Sequence, residues 1–225
     1  MIIGISGYSG SGKDTVGAII QYIFCKHNPL SRPVEEVVTN LEEWEEVLED
    51  TSEWEIRKFA GKLKDIASHL TGIDIEDFED QEFKKTNLGR EWWTTCDEGW
   101  QPMTVRDFLQ KLGTDAMRNG LHDNVWVNAL MADYKPICEV TDLGVEATIP
   151  NWIITDTRFP NEAQAIKDKG GIIIRVDRPG VYPINDHPSE TGLDHWKFDY
   201  KIQNIGDILS LRNTVEGILK HAKLL

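Results

Sequence analysis

The chain has 225 residues, 40% of them apolar and 28% charged, with a formal net charge of −14. A single domain of that length buries most of the surface its unfolded chain exposes, and the longest apolar runs, "GIIIRV" and "NWIIT", are far too short to span a bilayer. The negative balance, with no basic stripe to offset it, would repel a nucleic-acid backbone, so any nucleotide bound is expected to be small and held by a few local cations.

Cys25, Cys96 and Cys138 are odd in number and widely spaced, which argues against a disulfide framework and a zinc site and favours reduced thiols. With no basic n-region ahead of an apolar stretch at the N-terminus, the expected location is the cytoplasm.

Residues 2–6 ("IIGIS") have strand character, and Val16, Ile19, Ile20, Ile23 and Phe24 recur at helical spacing after a glycine-rich turn. An acidic insertion over about 28–55 holds a helix in "NLEEWEEVLED" with a narrow apolar stripe. "EWEIRKFA" alternates as a strand, and "FAGKLKDIASHL" places Phe59, Leu63, Ile66, Ala67 and Leu70 on one helical face. Residues 71–100 carry no periodicity, and about 71–135 forms a helical region. Thr104 and Asp107 form a capping-box pattern that opens "TVRDFLQKLGTDAMRN", and another helix is expected around "NVWVNALMADY".

"NWIITD" is an apolar strand ending in an acid, Pro160 suits the first turn of the next helix, and Gly170 and Gly171 stop it. "GIIIRVD" is a second buried strand, followed by a polar segment over 178–195, the strand "FDYKIQN" and a last amphipathic helix. Strands alternating with helices give an α/β fold, a mostly parallel sheet covered on both faces.

Gly7-x-x-x-x-Gly12-Lys13 lies between a predicted strand and a predicted helix, the context in which glycines let backbone N–H groups and a helix N-terminus converge on phosphate. Lys13 adds a mobile charge. The residue after the lysine is Asp14 where a hydroxyl is usual, with Thr15 next. Asp14 either acts through magnesium or its waters or is a first-turn acid stabilised by the helix dipole.

The remaining cations suggest where other anions go. Arg106 lies in a first helical turn, Arg158 follows the acid-terminated strand, and Arg178 opens the polar segment. Arg106 is equally able to pair on the surface with Asp107 or Asp115, Arg178 to be solvated, and Asp156 to cap a helix. His187 and Glu190 lack a partner set for a metal, so 178–195 is read as a small flexible lid.

The segments "SGSGKDT", "FAGKLKD", "TVRDFLQKLGTD", "DTRFPNEA", "VDRPG", "HPSETGLD" and "IQNIGDI" resemble the bacteriophage-type deoxynucleoside monophosphate kinases almost end to end. The resemblance implies one P-loop kinase domain over 1–225, a three-layer α/β/α sandwich that transfers phosphate from ATP to a dNMP with Mg2+. Gly10, Ser11, Gly12, Lys13, Asp14 and Thr15 would hold ATP, with Asp14 and Thr15 nearest the metal. Lys64, Arg106, the Gly113-Thr114 break, Trp126, Asp156, Arg158 and Glu162 would hold the dNMP. Lys13, Asp14, Arg158 and Arg178 would serve the transfer.

Ser9 and Gly10 stand where some members of that family carry basic residues, a loss that Arg178, Lys84 or Lys85 would offset. Trp126 suits either a base-stacking wall or the core. The implied partners are small nucleotides, with no membrane, and a homodimer is compatible. Animal-type phosphomevalonate kinases look similar at "SGKD", "DTR" and "GLD", and a non-catalytic nucleotide-binding regulator is the alternative of a different class.

Overall fold

The computed structural model describes residues 1–28, 52–96, 99–141, 144–183 and 187–225. The helix read in "NLEEWEEVLED", and with it most of the acidic insertion, lies outside the described residues. The chain divides into two compact units, one of Met1–Lys58 with Asp133–Leu225 and one of Phe59–Ala132.

In chain order, β1 (Ile2–Ser6), α1 (Lys13–His27) and β2 (Trp54–Arg57) begin the first unit. The second holds α2 (Gly61–Thr71), β3 (Thr94–Cys96), β4 (Gly99–Gln101), α3 (Val105–Gln110) and α4 (Val125–Met131). The first resumes with β5 (Ile137–Thr141), β6 (Gly144–Thr148), β7 (Asn151–Ile154), α5 (Pro160–Asp168), β8 (Ile172–Asp177), α6 (Pro188–Thr191), β9 (Tyr200–Gln203) and α7 (Ile208–His221).

Five strands form one sheet in the order β2-β7-β1-β8-β9, every neighbouring pair parallel. Parallel strands buried on both faces read as unbroken apolar runs, which is why "IIGIS", "NWII" and "IIIRV" lack alternation. Ile3 and Ile5 of β1 and Ile174 and Val176 of β8 face a core shared with α1 and α7. Val16, Ile19 and Val215 are fully buried there, each contributing about 1.5–3 kcal/mol over exposure. Gly4, between Ile3 and Ile5, would point a side chain at Ile166 of α5, so α5 covers the opposite face. The result is the α/β/α layering of a P-loop kinase, with β1 at its centre.

In the second unit, Ala67, Phe78, Leu88, Val105 and Phe108 make a smaller core, where Trp92 meets Phe108 edge-on at 4.9 Å. The Thr104–Asp107 capping box forms as read. The expected break at Gly113 and Thr114 does not occur. The backbone stays helical and widens into a π-helix over Lys111–Asn119, a winding that leaves sequence periodicity ambiguous. Residues 71–100 contain three single 3-10 turns and the β3–β4 hairpin. The β5–β6 hairpin was not read from the sequence either, and Ile137 and Val145 in it are exposed. Among the described residues, no helix is long and apolar enough to cross a membrane.

Candidate phosphate-binding site

Because all five strands run the same way, their carboxyl ends share one edge of the sheet, the edge where ligands of open α/β folds gather. There β1 delivers residues 7–12, β2 delivers Lys58, β7 delivers Thr155–Arg158, β8 delivers Arg175 and β9 delivers Asn204.

The loop after β1 is closed on itself. The carbonyl of Tyr8 accepts from the Ser11 amide at 3.1 Å and from Lys13 Nζ at 2.7 Å. At Gly7 (φ 153°) a Cβ would lie 2.4 Å from the Val176 carbonyl. At Gly12 (φ 97°) it would lie 2.5 Å from Asn204 Nδ2, which donates to the Ser11 carbonyl at 2.9 Å. Both positions favour glycine through their positive φ, and Gly7 also because the atom in the way is backbone. No side chain caps α1, so its first amides remain for a ligand.

Lys13 is only 7% exposed. Burial, and next the charge of Arg158, lower its pKa from 10.5 to about 8 against the pull of Asp14, Glu190 and Asp156. Beside it, Ser11 Oγ is buried without a hydrogen-bond partner. A desolvated ammonium, an orphaned hydroxyl donor and an uncapped helix start fit the terminal phosphates of a nucleoside triphosphate.

Asp14 is exposed, and its Oδ1 accepts from Thr155 Oγ1 at 2.8 Å with Lys58 Nζ 3.5 Å away. Partial desolvation works to raise its pKa, but Lys58, the Thr155 hydroxyl and Lys13 outweigh it and hold the carboxyl below the usual range. Among the described residues no cluster of three metal-ligating side chains exists. Asp14, an exposed carboxylate held ionised at the start of α1, has the donor chemistry that a magnesium ion would accept, with the Thr15 hydroxyl next in sequence.

Arg158 donates through Nη1 to Glu190 Oε1 at 2.6 Å and to the Ser189 carbonyl at 3.1 Å. Glu162, expected on the substrate, is 2% exposed and accepts instead from the amides of Arg158 and Phe159 at 2.8 and 3.1 Å. A carboxylate at the third position of a helix satisfies the amides that precede it, so Glu162 shapes the turn that presents Arg158. Asp156 is half-buried and acts on Lys13 through its charge, while the start of α5 is set by Phe159 and Pro160.

Arg178 is exposed past the end of β8, and the cation that reaches the loop from that strand is Arg175, which the sequence reading passed over. Arg175 is 6% exposed, lies 4.4 Å over the Tyr8 ring, bonds Asp177 at 2.9 Å and approaches Asp194 at 3.6 Å. Its signal was an arginine inside the apolar run "GIIIRVD". Tyr8 Oη in turn donates to Asp194 at 2.9 Å, so the segment expected as a lid is tied to the loop at that point.

In the second unit, Lys64 is ion-paired with Glu79 and Arg106 Nη2 donates to Gln81 at 3.2 Å. Asp107 is occupied by the capping box. Lys85 pairs with Glu82, and Lys84 reaches the Glu79 carbonyl at 3.3 Å. Trp126 is 5% exposed, and its indole N–H donates to the Gly113 carbonyl at 2.9 Å. Its burial and its engaged N–H favour the core reading of Trp126 over a stacking wall. A side chain at Gly113 would meet Leu63 at 2.8 Å, which makes this glycine a packing position, and Thr114 follows it half-exposed.

A sequence profile of the deoxynucleotide monophosphate kinase family matches residues 60–215. A putative deoxynucleotide monophosphate kinase of Acanthamoeba polyphaga mimivirus is 33% identical over 145 residues, 61% of this chain and 67% of that protein. The deoxynucleotide monophosphate kinase of Enterobacteria phage T4 is 28% identical over 68% of this chain and 61% of its own length. That of Escherichia phage RB69 is 26% identical over 69% and 58%. The chain thus spans about two thirds of the mimivirus protein and less of either phage protein.

Proposed function

Since the chain belongs to the deoxynucleotide monophosphate kinase family, we propose that it transfers the γ-phosphoryl group of ATP to a deoxynucleoside monophosphate, giving dNDP and ADP. The observation that carries this reading is Lys13, a nearly buried ammonium at the start of α1 beside the unpartnered Ser11 hydroxyl, its pKa lowered by burial to about 8.

Phosphoryl transfer asks the protein for positioning and charge stabilisation and for no nucleophilic side chain, because the acceptor is the phosphate oxygen of the dNMP. Lys13, the Ser11 hydroxyl and the first amides of α1 orient the donor phosphates, and Asn204 braces the loop through the Ser11 carbonyl. Magnesium, when bound, neutralises charge between donor phosphates, and Asp14 with Thr15 are the residues that would hold it. Arg158 meets the charge that develops on the moving group. Asp156, Lys64 and Arg106 serve the acceptor, with Arg106 exchanging the neutral Gln81 amide for a phosphate oxygen, a stronger charge-assisted bond. Arg178 and Trp126 take supporting roles only.

A coupled ADP-release assay across dTMP, dGMP, dCMP, dAMP and their ribo forms tests this reading. Turnover with at least one deoxynucleotide is expected. ATP consumption with none of them would overturn it, and release with phosphomevalonate instead would redirect it.

A further inference from the structure

We infer that Glu190 is a positioning residue for phosphoryl transfer, holding the guanidinium of Arg158 at the phosphate loop. The inference rests on the phosphotransfer reading above. Nothing in the sequence singled Glu190 out for this role, and three independent features of the first unit converge on it.

The first is the state of the carboxylate. The Glu190 side chain is only 8% exposed, one oxygen takes the 2.6 Å bond from Arg158, and the other is buried without a hydrogen-bond partner. A buried carboxylate that spends one oxygen on a partly exposed arginine and leaves the other unsatisfied is a poor device for stability, since well-packed apolar residues usually do as well or better. Its value lies in fixing where a charge sits.

The second is the way Glu190 is delivered. It belongs to the single turn α6, which His187 caps by accepting from the Ser189 amide at 3.2 Å, and whose Ser189 carbonyl gives Arg158 a second acceptor at 3.1 Å. The third is how tightly that turn is set. A Cβ at Gly192 would lie 2.9 Å from the Arg158 carbonyl and 2.7 Å from that of Pro188, so the turn rests directly on the Arg158 backbone. Two residues further, Asp194 is bound by Tyr8 Oη and approached by Arg175. The phosphate loop thus anchors the segment that aims Arg158.

An arginine held by two acceptors loses little rotamer freedom when a phosphate comes, so its charge is in place for the transition state at no further ordering cost. Removing the carboxylate charge should therefore lower kcat and leave the ATP KM nearly unchanged.

The test is a double-mutant cycle in the full chain. E190Q, which keeps volume, is expected to lower kcat about tenfold with the ATP KM within about twofold. In an R158A background it is expected to change kcat less than about twofold. G192A, which leaves every charge intact and displaces the turn, should reproduce the kcat loss. Additive effects of E190Q and R158A, or a loss confined to KM or to thermal stability, would overturn the inference. The cycle is run both with a deoxynucleotide and on the slow release of ADP with water as acceptor. Coupling with water alone, and no transfer to any deoxynucleotide, would support Glu190 while overturning the acceptor assignment. Additivity in both, with transfer intact, would overturn Glu190 alone.

Discussion

In the unit of residues 1–58 and 133–225, the polar groups at the carboxyl ends of the strands are under-compensated: Lys13 is desolvated next to Arg158, and Ser11 Oγ has no partner. In the unit of residues 59–132, the residues expected to meet substrate already have partners of their own, Lys64 with Glu79, Arg106 with Gln81 and Trp126 with the Gly113 carbonyl. A desolvated ammonium beside an unsatisfied hydroxyl marks a ligand site, because the cost of keeping them there is recovered only on binding, although Arg158 next to them is paired with Glu190. Cations already paired act on a ligand only by exchange, and a paired indole acts mainly through packing. Substitutions in the first unit should therefore strike catalysis, and those in the second should strike stability or substrate KM.

The largest expected effect is at Lys13. K13M should lower kcat/KM by about 10³-fold, roughly 4 kcal/mol of transition-state stabilisation. Its thermal midpoint should hold or rise, since a desolvated charge is removed. A drop in midpoint that parallels the activity loss would break the contrast. R158A should follow with about 10²-fold in kcat, measured at saturating ATP.

Third comes pH. The ammonium form of Lys13 is the active one, and kcat/KM reports the free protein, so kcat/KM for ATP should fall about tenfold per unit above pH 8, well below the ordinary lysine value of 10.5. In the nucleotide-free protein the same depressed pKa has the opposite consequence for stability. Between about pH 8 and 10.5 the unfolded chain binds the proton that the folded one has lost, so this group's contribution to stability rises with pH. A flat profile to pH 10 would show that Lys13 is not suppressed.

The smallest effect on turnover belongs to the second unit. W126F leaves the buried Gly113 carbonyl without its donor and should cost about 1–3 kcal/mol by denaturant unfolding, with kcat within about threefold. A tenfold rise in the dNMP KM at unchanged stability would restore the stacking wall.

The positions that were legible share a local cause. Gly7, Gly12 and Lys13 are bound by the geometry of one turn, the Thr104–Asp107 box by four consecutive residues, and the central strands by unbroken apolar runs. Glu162 was assigned to substrate by the resemblance, although the amides it accepts from lie within four residues of it. Residues whose roles depend on distant partners were missed. Arg175 was passed over because its significance lies in Tyr8 and Asp194, far away in the chain. The helix opened at Thr104 was read through to Asn119, and the break at Gly113 and Thr114 came only from the family resemblance; the π-winding there was not legible.

By itself, then, the sequence determined the phosphate loop and the alternation of parallel strands with helices, each written in residues adjacent along the chain, and the kinase family, written in the order of short segments along it. Only the tertiary structure decided which cation faces the loop, which acid steers Arg158 and which tryptophan is core. Those outcomes depend on strand order and on burial, and both arise when separate segments pack and lose their water together.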